Sequence, residues 1–306
     1  MPKDFGSQSE KFFLIKKGEG LEEISSNLEK EGFIKSKFFF EAYLIFKKEA
    51  KNLKAGGYLL STSMNIPEIS RKFVSGEIAK EEITVIEGWN LKDIAGYLEE
   101  KGIISSGEFL EITNSDFSKG YDFLNDKPKN LGLEGYLFPD TYLVNRGFVV
   151  EEIIRMMLGN FNEKLTPDLR EEIYLQKKTI FEIITMASLV EKEVKSAEDK
   201  KIVAGILWKR MEEGIPLQVD ATIAYITGKK TTKISREETR IDSPYNTYKY
   251  KGLPLGPICN PGFESILSSV YYINSEYLYY LSTPEGKTIF SRTLEEHNIA
   301  KEKYLK

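Results

Sequence analysis

The sequence predicts an α+β protein in which strands and helices are mixed along the chain. Short apolar runs such as "YLYYLS" and "TIFS" are typical of strands, whereas other segments place apolar residues three and four positions apart, as helices do. These elements do not alternate regularly, as they would in a parallel α/β sheet. A strand–turn–helix pattern also occurs twice in the first half. We therefore expect a small N-terminal α/β module followed by a larger mixed α+β domain.

Composition and charge exclude several classes of protein. The chain is 41% hydrophobic and 29% charged, a balance typical of globular domains. A net charge of -4 gives no reason to expect a nucleic-acid partner. The single cysteine, Cys259, excludes a disulfide framework, and the single histidine, His297, is expected to be a solvated surface residue. Nothing in the sequence suggests a metal or organic cofactor.

The internal repeat joins the stretch from Phe13 to the stretch from Ile83 at a constant offset. The matching pairs include Gly18 and Gly88, Leu28 and Leu98, and Gly32 and Gly102. Each copy predicts a strand, a glycine turn, an amphipathic helix that a glycine ends, and a further helix that begins near Lys35–Lys37 or near Ser106. The first copy adds a second strand and a helix from Pro67.

The first copy, a strand–helix–helix–strand unit, resembles a LysM-type module. Binding of glycan and a plain scaffold role are both open for it. The predicted organisation is a disordered or artificially added N-terminus at 1–10, a LysM-like module at 11–80 and the larger domain at 81–306. Within that domain, 81–125 repeats the strand–helix pattern of the module.

The rest of the chain continues as a mixture of elements. "LEGYLFPDTYLV" predicts an extended aromatic segment, and "IPLQVDATIAYITG" predicts a strand that leads into a short helix. A long loop rich in proline and glycine follows. We then expect a helix from about Ser265, two short strands and a final helix after Thr293. Four helices are expected between these motifs, at about 150–163, 167–176, 180–194 and 197–213.

The third of these helices carries two carboxylates at its end, in "TMASLVEKEV" at 185–194. Thr179 and Glu182 form a capping-box pattern, which predicts a start at Ile180. Glu193 then lies in the last turn. The partial negative charge of a helix C-terminus and partial burial both disfavour a carboxylate anion, so both raise its pKa. An acid that keeps its proton near neutral pH can serve in glycosidic cleavage.

The sequence alone leaves the choice between the two carboxylates open. Glu191 and Glu193 lie about 200° apart on a helical wheel, so only one faces a given cleft. The wheel places Glu191 nearer the apolar stripe and slightly favours it as the buried acid. A third interpretation is that both are solvated residues at a helix end.

Four motifs in order resemble the YceG-like endolytic murein transglycosylase family. They are "LEGYLFPDTY", "ASLVEKEV", "LQVDATIAY" and "SPYNTYKYKGLPLGPICNPG". The resemblance implies a YceG-like catalytic domain that cleaves peptidoglycan between N-acetylmuramic acid and N-acetylglucosamine without hydrolysis. The muramyl 6-hydroxyl closes on its own anomeric carbon and leaves a 1,6-anhydro end.

The resemblance also implies that the second glutamate of "EKE", Glu193, is the catalytic residue. Glu191 stays a possible catalytic or supporting residue. We follow the resemblance on this point, because wheel angles are least reliable in the last turn of a helix. An intramolecular hydroxyl attack requires no protein nucleophile, so one glutamic acid can both donate and accept the proton.

The neighbouring motifs supply candidate substrate-binding residues. A strand through "LQVDAT" would put Gln218 and Asp220 on one polar face. Tyr245 and Tyr248 offer flat rings for sugars. Further hydrogen-bonding candidates are Asn246, Thr247, Glu134, Asp140 and Tyr142. A role in loop or core structure competes with sugar binding for each of them.

The resemblance extends to localisation and partners. Members of the family begin with a single transmembrane helix, which this sequence lacks. The resemblance therefore implies that this region lies on the extracytoplasmic side of the cytoplasmic membrane and is held there by an anchor outside this sequence. It also implies peptidoglycan strands as the substrate and cell-wall synthases as possible protein partners. Two alternatives remain. One is a glycan hydrolase in which Asp220 orients a water, and the other is a non-catalytic glycan-binding or scaffold protein.

Overall fold

The computed structural model describes residues 10–147, 149–229 and 234–305. The predicted disordered N-terminus falls almost wholly on residues outside these ranges. The described chain contains six strands, namely β1 (Glu10–Ile15), β2 (Gly56–Ser61), β3 (Lys80–Thr84), β4 (Thr141–Asn145), β5 (Tyr279–Ser282) and β6 (Thr288–Ser291). They pair as three two-stranded sheets, β1 with β2, β3 with β4, and β5 with β6.

Twelve α-helices occur in the same described ranges. They are α1 (Leu21–Lys30), α2 (Lys37–Lys47), α3 (Ile66–Ser75), α4 (Leu91–Glu100), α5 (Ser106–Ile112), α6 (Val150–Lys164), α7 (Pro167–Leu175), α8 (Ile180–Glu193), α9 (Ala197–Glu212), α10 (Asp220–Thr227), α11 (Phe263–Val270) and α12 (Leu294–Tyr304). The mixed α+β class is confirmed. None of these helices is long and apolar enough to cross a bilayer.

The chain divides into two compact units. The first comprises the described chain up to Ile83 together with Thr141–Ile153, and the second comprises Thr84–Asp140 and the chain from Ile154 onward. The sequence repeat indicated a division at residue 80. That division is based on sequence similarity and not on contacts, and it stays a prediction.

The first unit is built on the antiparallel pair β1–β2, in which Glu10 lies opposite Ser61 and Ile15 opposite Gly56. Its core is aromatic. The Phe73 ring packs against Tyr58 at a centroid distance of 4.7 Å and against Phe13 at 5.8 Å. The strand–helix–helix–strand order of the first repeat is confirmed, while its likeness to a LysM module stays a prediction.

The repeat is visible in the backbone of both copies. The turn glycines Gly18 and Gly88 have φ values of +87° and +81°. The glycines that follow the helices, Gly32 and Gly102, have φ values of +83° and +68°. Glycine adopts this left-handed region without the penalty that a side chain incurs. The predicted turns and helix ends are thus confirmed at matching positions.

The second unit is organised around α8. The Thr179–Glu182 capping box forms as predicted, and six apolar side chains from Ile183 to Val190 are fully buried. This helix packs against α9, α10 and α11. Burial on most sides explains why its sequence lacks a sharply polar face.

The loop rich in proline and glycine is held by a buried amide. The Asn260 side chain accepts a 2.9 Å hydrogen bond from the Leu137 backbone and donates one to the Trp89 carbonyl, also at 2.9 Å. From α8, the Ser188 hydroxyl accepts a 3.0 Å bond from the Ile258 backbone. These bonds tie the loop to α8 and to the segment before α4, so it has a defined course without regular structure.

The expectation of a solvated His297 is wrong. The residue is 8% exposed, and its ring stacks on Tyr279 of β5 at a centroid distance of 5.3 Å. Burial lowers its pKa to about 4, with help from Lys301 and Arg210. The sequence misleads here because α12 is polar along most of its length, and only packing on the β5–β6 hairpin buries this position.

Candidate active site

Glu193 is the last residue of α8, which confirms its predicted place in the last turn, although the helix was expected to reach residue 194. The helix ends there because Val194 is extended, with φ −144° and ψ 157°, and α9 begins at Ala197. The β5–β6 hairpin approaches this end. The Tyr280 hydroxyl donates a 2.9 Å hydrogen bond to Oε2 of Glu193, and the Ser282 hydroxyl donates one to the Glu193 carbonyl at 3.4 Å.

The carboxyl of Glu193 is desolvated, although the residue keeps partial contact with solvent. Desolvation raises its pKa from 4.5 to about 7. The Tyr280 hydrogen bond favours the anion and opposes this rise, whereas the nearby negative charge of Asp220 adds to it. At neutral pH the group is therefore divided between its acid and base forms, as a residue that both donates and accepts a proton requires.

Asp220 lies in the first turn of α10, where the Tyr248 hydroxyl donates a hydrogen bond to Oδ1. Asp220 and Glu193 both raise the pKa of Tyr248 after burial, which is the larger cause. Three predicted site residues therefore lie close together, namely Glu193, Asp220 and Tyr248. A carboxylate in the first turn also suits the positive end of the α10 dipole.

The predicted strand through Gln218 and Asp220 is wrong. Gln218 has a φ of +55°, the left-handed region, and α10 starts two residues later. The Gln218 N–H donates to the Thr247 carbonyl at 3.1 Å, which helps to hold this strained conformation. Leu217 and Val219 are nevertheless buried and Gln218 is exposed. The alternation of buried and exposed side chains at 217–219 is therefore present, but it arises from a turn that leads into α10 and not from a strand.

Arg210 of α9 holds the Gln218 side chain. Its Nη2 donates to the Gln218 Oε1 at 3.0 Å and to the Pro216 carbonyl at 2.5 Å. The guanidinium also lies 5.5 Å from the centroid of the Tyr279 ring. Arg210 is only 6% exposed, so this buried cation links α9 to the turn before α10 and to the hairpin.

Asn246 and Thr247 are each 1% exposed and are bonded within the protein. The Asn246 amide donates to the Thr239 and Ile241 carbonyls at 3.1 and 2.8 Å. The Thr247 hydroxyl accepts a 3.0 Å bond from the Val219 backbone. These contacts favour the competing interpretation, in which both side chains hold the loop in place. Contact of either residue with sugar stays a prediction.

Glu191 is largely buried, with 10% of its side chain exposed. Its Oε2 forms an ion pair with Lys200 at 3.3 Å and accepts hydrogen bonds from the Ser265 hydroxyl at 2.6 Å and the Gly262 N–H at 3.0 Å. The wheel's preference for Glu191 as the buried acid stays a prediction, because the Glu193 carboxyl is desolvated as well. These contacts make Glu191 a tie between α8, α9 and the start of α11, where the helix dipole favours an anion.

Glu134 lies in a second cluster. Its carboxylate accepts hydrogen bonds from the Leu91 N–H at 3.1 and 3.2 Å and from the Tyr225 hydroxyl at 3.3 Å. Desolvation raises its pKa to about 8 against the effect of these donors. The Tyr245 ring packs on Tyr225 at 5.0 Å. Tyr245 therefore joins Glu134, while its loop neighbour Tyr248 joins Asp220.

A cavity of about 150 Å³ adjoins this second cluster, lined by Glu134, Tyr225 and Tyr245 among others. A larger one of about 330 Å³ is lined by residues between Asn114 and Leu133. Neither is lined by Glu193.

Desolvation does not by itself separate Glu193 from Glu134, which is also a desolvated acid and lines the smaller cavity. Our choice of Glu193 as the candidate catalytic residue rests on its place in the "EKE" motif together with the Asp220 carboxylate and the Tyr280 hydroxyl beside it.

The two remaining candidates lie in different units. Asp140, in the second unit, accepts a 2.8 Å hydrogen bond from the Asn160 amide. Tyr142 is 6% exposed and belongs to β4 in the first unit. Contact of either residue with substrate stays a prediction.

Sequence reasoning missed Tyr280 and Arg210 as parts of the site. The run "YLYYLS" predicts that Tyr279 and Tyr280 point to opposite faces of a strand, but it does not say which face meets α8. Arg210 lies in a helix whose polar and apolar residues show no clear periodicity. No local signal in the sequence marks either residue.

Comparisons with known proteins agree with this fold. The model of a family described as YceG-like matches residues 13–303. A protein of Bacillus subtilis (strain 168) named endolytic murein transglycosylase is 34% identical over 304 residues, which cover 95% of this chain and 84% of that protein.

A protein of the same name from Streptococcus pneumoniae serotype 2 (strain D39 / NCTC 7466) is 32% identical over 326 residues. That alignment covers 97% of this chain but only 59% of the relative. The crystal structure of a putative yceG-like protein from Listeria monocytogenes superposes with a TM-score of 0.67 at 33% identity. This match covers 96% of the chain and 100% of that structure.

Proposed function

Since the chain belongs to the YceG-like family, we propose that it is a lytic transglycosylase that cleaves peptidoglycan glycan strands endolytically. The relatives named endolytic murein transglycosylase support the activity and the substrate class. The observation that carries the assignment of Glu193 is its desolvated carboxyl, whose pKa lies near 7 beside Asp220 and Tyr280.

In the proposed reaction, protonated Glu193 donates its proton to the glycosidic oxygen as the bond to the muramyl anomeric carbon breaks. The muramyl 6-hydroxyl oxygen then forms the new bond to that carbon. Its proton passes to the Glu193 carboxylate, which regenerates the acid. No water is consumed, and the products are a free hydroxyl end and a 1,6-anhydro end.

The neighbours of Glu193 have distinct roles in this proposal. Tyr280 is a positioning residue that fixes the orientation of the Glu193 carboxyl. Asp220, Tyr248 and the exposed Gln218 offer oxygen and nitrogen atoms to sugar hydroxyl and acetamido groups. Holding the muramyl 6-hydroxyl near its own anomeric carbon supplies much of the rate advantage, because attack within one molecule avoids the entropy cost of bringing in water.

The test is mass spectrometry of purified glycan strands after digestion. Glu193→Gln should lower the rate of release of anhydro ends by a factor on the order of 10²–10⁴. Glu302→Gln is the matched control, since Glu302 is exposed on α12. Release of anhydro ends by Glu193→Gln at the control rate would remove Glu193 from the catalytic role.

The proximity of Asp220 to Glu193 also favours a second candidate, a hydrolase with two carboxylates at the bond. The same experiment separates the two activities. Hydrolysis yields muramyl reducing ends that are heavier by one water than anhydro ends. If the heavier product predominates, the protein is a hydrolase and the transglycosylase assignment is wrong.

The proposal places this region on the extracytoplasmic side of the cytoplasmic membrane, where peptidoglycan is found. A single-pass anchor outside this sequence and contact with cell-wall synthases belong to the same proposal. Fractionation of cells that produce the native protein, followed by protease treatment of intact spheroplasts, tests the location. Protection of this region from the protease would contradict it.

A further inference from the structure

Helix α2 in the first unit exposes large apolar side chains to solvent. Phe38, Phe39, Ile45 and Phe46 are 68%, 65%, 64% and 83% exposed. On a helical wheel they lie with Ala42 in an arc of about 120°. We call these five residues the α2 outer face. An apolar stripe of this width normally faces a protein core, and a contiguous exposed one marks an interaction site.

The α2 outer face does not arise from poor packing of the helix. The opposite side of α2 is already buried, since Phe40 and Leu44 are 0% exposed in the aromatic core. The helix is thus apolar on two sides, of which only one is covered. Phe38 and Phe39 pack edge to face at a centroid distance of 5.7 Å, so the exposed rings form one patch.

The segment that carries this patch is rich in lysine. Residues 35–54 contain six lysines and two glutamates, a net charge of +4 in a chain whose net charge is -4. The lysines are Lys35, Lys37, Lys47, Lys48, Lys51 and Lys54. Both glutamates accept hydrogen bonds from serines of neighbouring helices, Glu41 from Ser25 and Glu49 from Ser70. Two lysines are bonded within the protein as well, since Nζ of Lys37 donates to the Ser26 hydroxyl and Nζ of Lys54 donates to the Ser75 carbonyl. The other four are exposed and lie next to the patch along the chain, and we call them its basic rim: Lys35, Lys47, Lys48 and Lys51.

The apolar face and its basic rim decide which kind of partner fits the α2 outer face. A glycan requires hydrogen-bonding partners, and the α2 outer face has no side-chain donor or acceptor. A second copy of the chain would bring two basic rims together, which like-charge repulsion disfavours. An anionic bilayer surface satisfies both features, because aromatic side chains insert at the boundary between headgroups and acyl chains while lysines meet the phosphates.

We propose that the α2 outer face docks on the surface of a bilayer that contains anionic lipids. The contact is reversible, because a single short helix face with few anchors binds more weakly than a spanning segment. Each lysine near an anionic surface strengthens binding about fivefold and loses that effect as salt screens the charge. The docking is independent of the proposed cleavage reaction.

The test is flotation of the whole chain with two kinds of vesicle, phosphatidylcholine alone and phosphatidylcholine mixed with phosphatidylglycerol. Wild type should bind the mixed vesicles, less strongly as salt rises. Phe38→Ser/Phe46→Ser should bind at least about tenfold more weakly. Lys47→Glu/Lys51→Glu should lose the preference for mixed vesicles.

The matched control is Tyr174→Ser/Leu175→Ser, which removes two apolar side chains of α7 that are 79% and 65% exposed. It should bind as wild type does. All substituted positions are exposed, and circular dichroism verifies that each variant is folded. Equal binding by wild type and Phe38→Ser/Phe46→Ser would overturn the proposal, as would absence of wild-type binding to mixed vesicles.

Two further measurements identify a different occupant. Sedimentation equilibrium that shows a wild-type dimer and a monomeric Phe38→Ser/Phe46→Ser variant would assign the α2 outer face to a second copy. Co-sedimentation with insoluble peptidoglycan that this variant alone loses would assign it to glycan. Either result overturns the membrane proposal.

Discussion

The Tyr280 hydroxyl donates a 2.9 Å hydrogen bond to Oε2 of Glu193, so the β5–β6 hairpin contacts the last residue of α8 directly. This bond stabilises the anion, whereas desolvation and Asp220 stabilise the protonated acid. The pKa near 7 is the balance of these opposing effects. Single substitutions of Tyr280 and Asp220 should therefore move the pKa of Glu193 in opposite directions.

Tyr280→Phe should raise the pKa of Glu193 further, because the variant removes the donor that favours the anion. The reaction needs protonated Glu193, so its rate falls as pH rises through this pKa. The basic limb of the pH–rate profile should move to higher pH, and the maximal rate should fall about tenfold with the loss of positioning. Tyr277→Phe, whose ring packs on Phe290, is the control. An unmoved limb in Tyr280→Phe would argue against this coupling.

Asp220→Asn should lower the pKa of Glu193, because a nearby negative charge disfavours a second one. The basic limb should then move to lower pH, opposite to the change in Tyr280→Phe. Carbon-13 NMR titration of the Glu193 carboxyl measures the same shift without substrate. The exposed Asp168 supplies the control variant Asp168→Asn. A shift to higher pH in Asp220→Asn would contradict the proposed electrostatics.

Glu191→Gln should lower the free energy of unfolding by on the order of 3 kcal/mol, because it leaves the Lys200 charge buried without its partner. Adding Lys200→Met should recover part of that loss, since the double variant buries no unpaired charge. Urea unfolding measures all three proteins, and Glu198→Gln on the exposed start of α9 is the control. If Glu191→Gln loses no more free energy of unfolding than the control does, the ion pair between Glu191 and Lys200 does not contribute to stability.

Glu134→Gln should become more stable relative to wild type as pH rises. The pKa of Glu134 is about 8 in the folded protein against an ordinary 4.5. Between these values the folded state keeps a proton that the unfolded state releases, so this stabilisation is complete below 4.5 and is lost as pH rises through 8.

Glutamine is neutral throughout, so Glu134→Gln should gain on the order of 1–2 kcal/mol over wild type between about pH 5 and about pH 8, after allowance for solvent screening. Urea unfolding at several pH values measures the difference, with Glu302→Gln as the control. A constant difference across this range would show that Glu134 is not protonated in the folded protein.

Much of the molecule was predictable from local signals. The capping box at Thr179, the glycine turns of the repeat and the final helix after Thr293 depend on residues within a few positions of one another. The location of Glu193 in the last turn of α8 follows from the same kind of signal. The failures at Gln218 and His297 have one cause. Each outcome depends on a tertiary feature that an alternating or a polar pattern does not report, namely the left-handed turn at Gln218 and the packing of the β5–β6 hairpin on His297.

By itself, then, the amino-acid sequence determined the mixed α+β class, the duplicated strand–helix pattern and the place of two carboxylates at one helix end, because backbone preferences and capping act over short distances. Only the tertiary structure decided which carboxylate is neutralised by a buried lysine and which meets a tyrosine. Those partners come from α9, α11 and β5, and three-dimensional packing alone brings them to the end of α8.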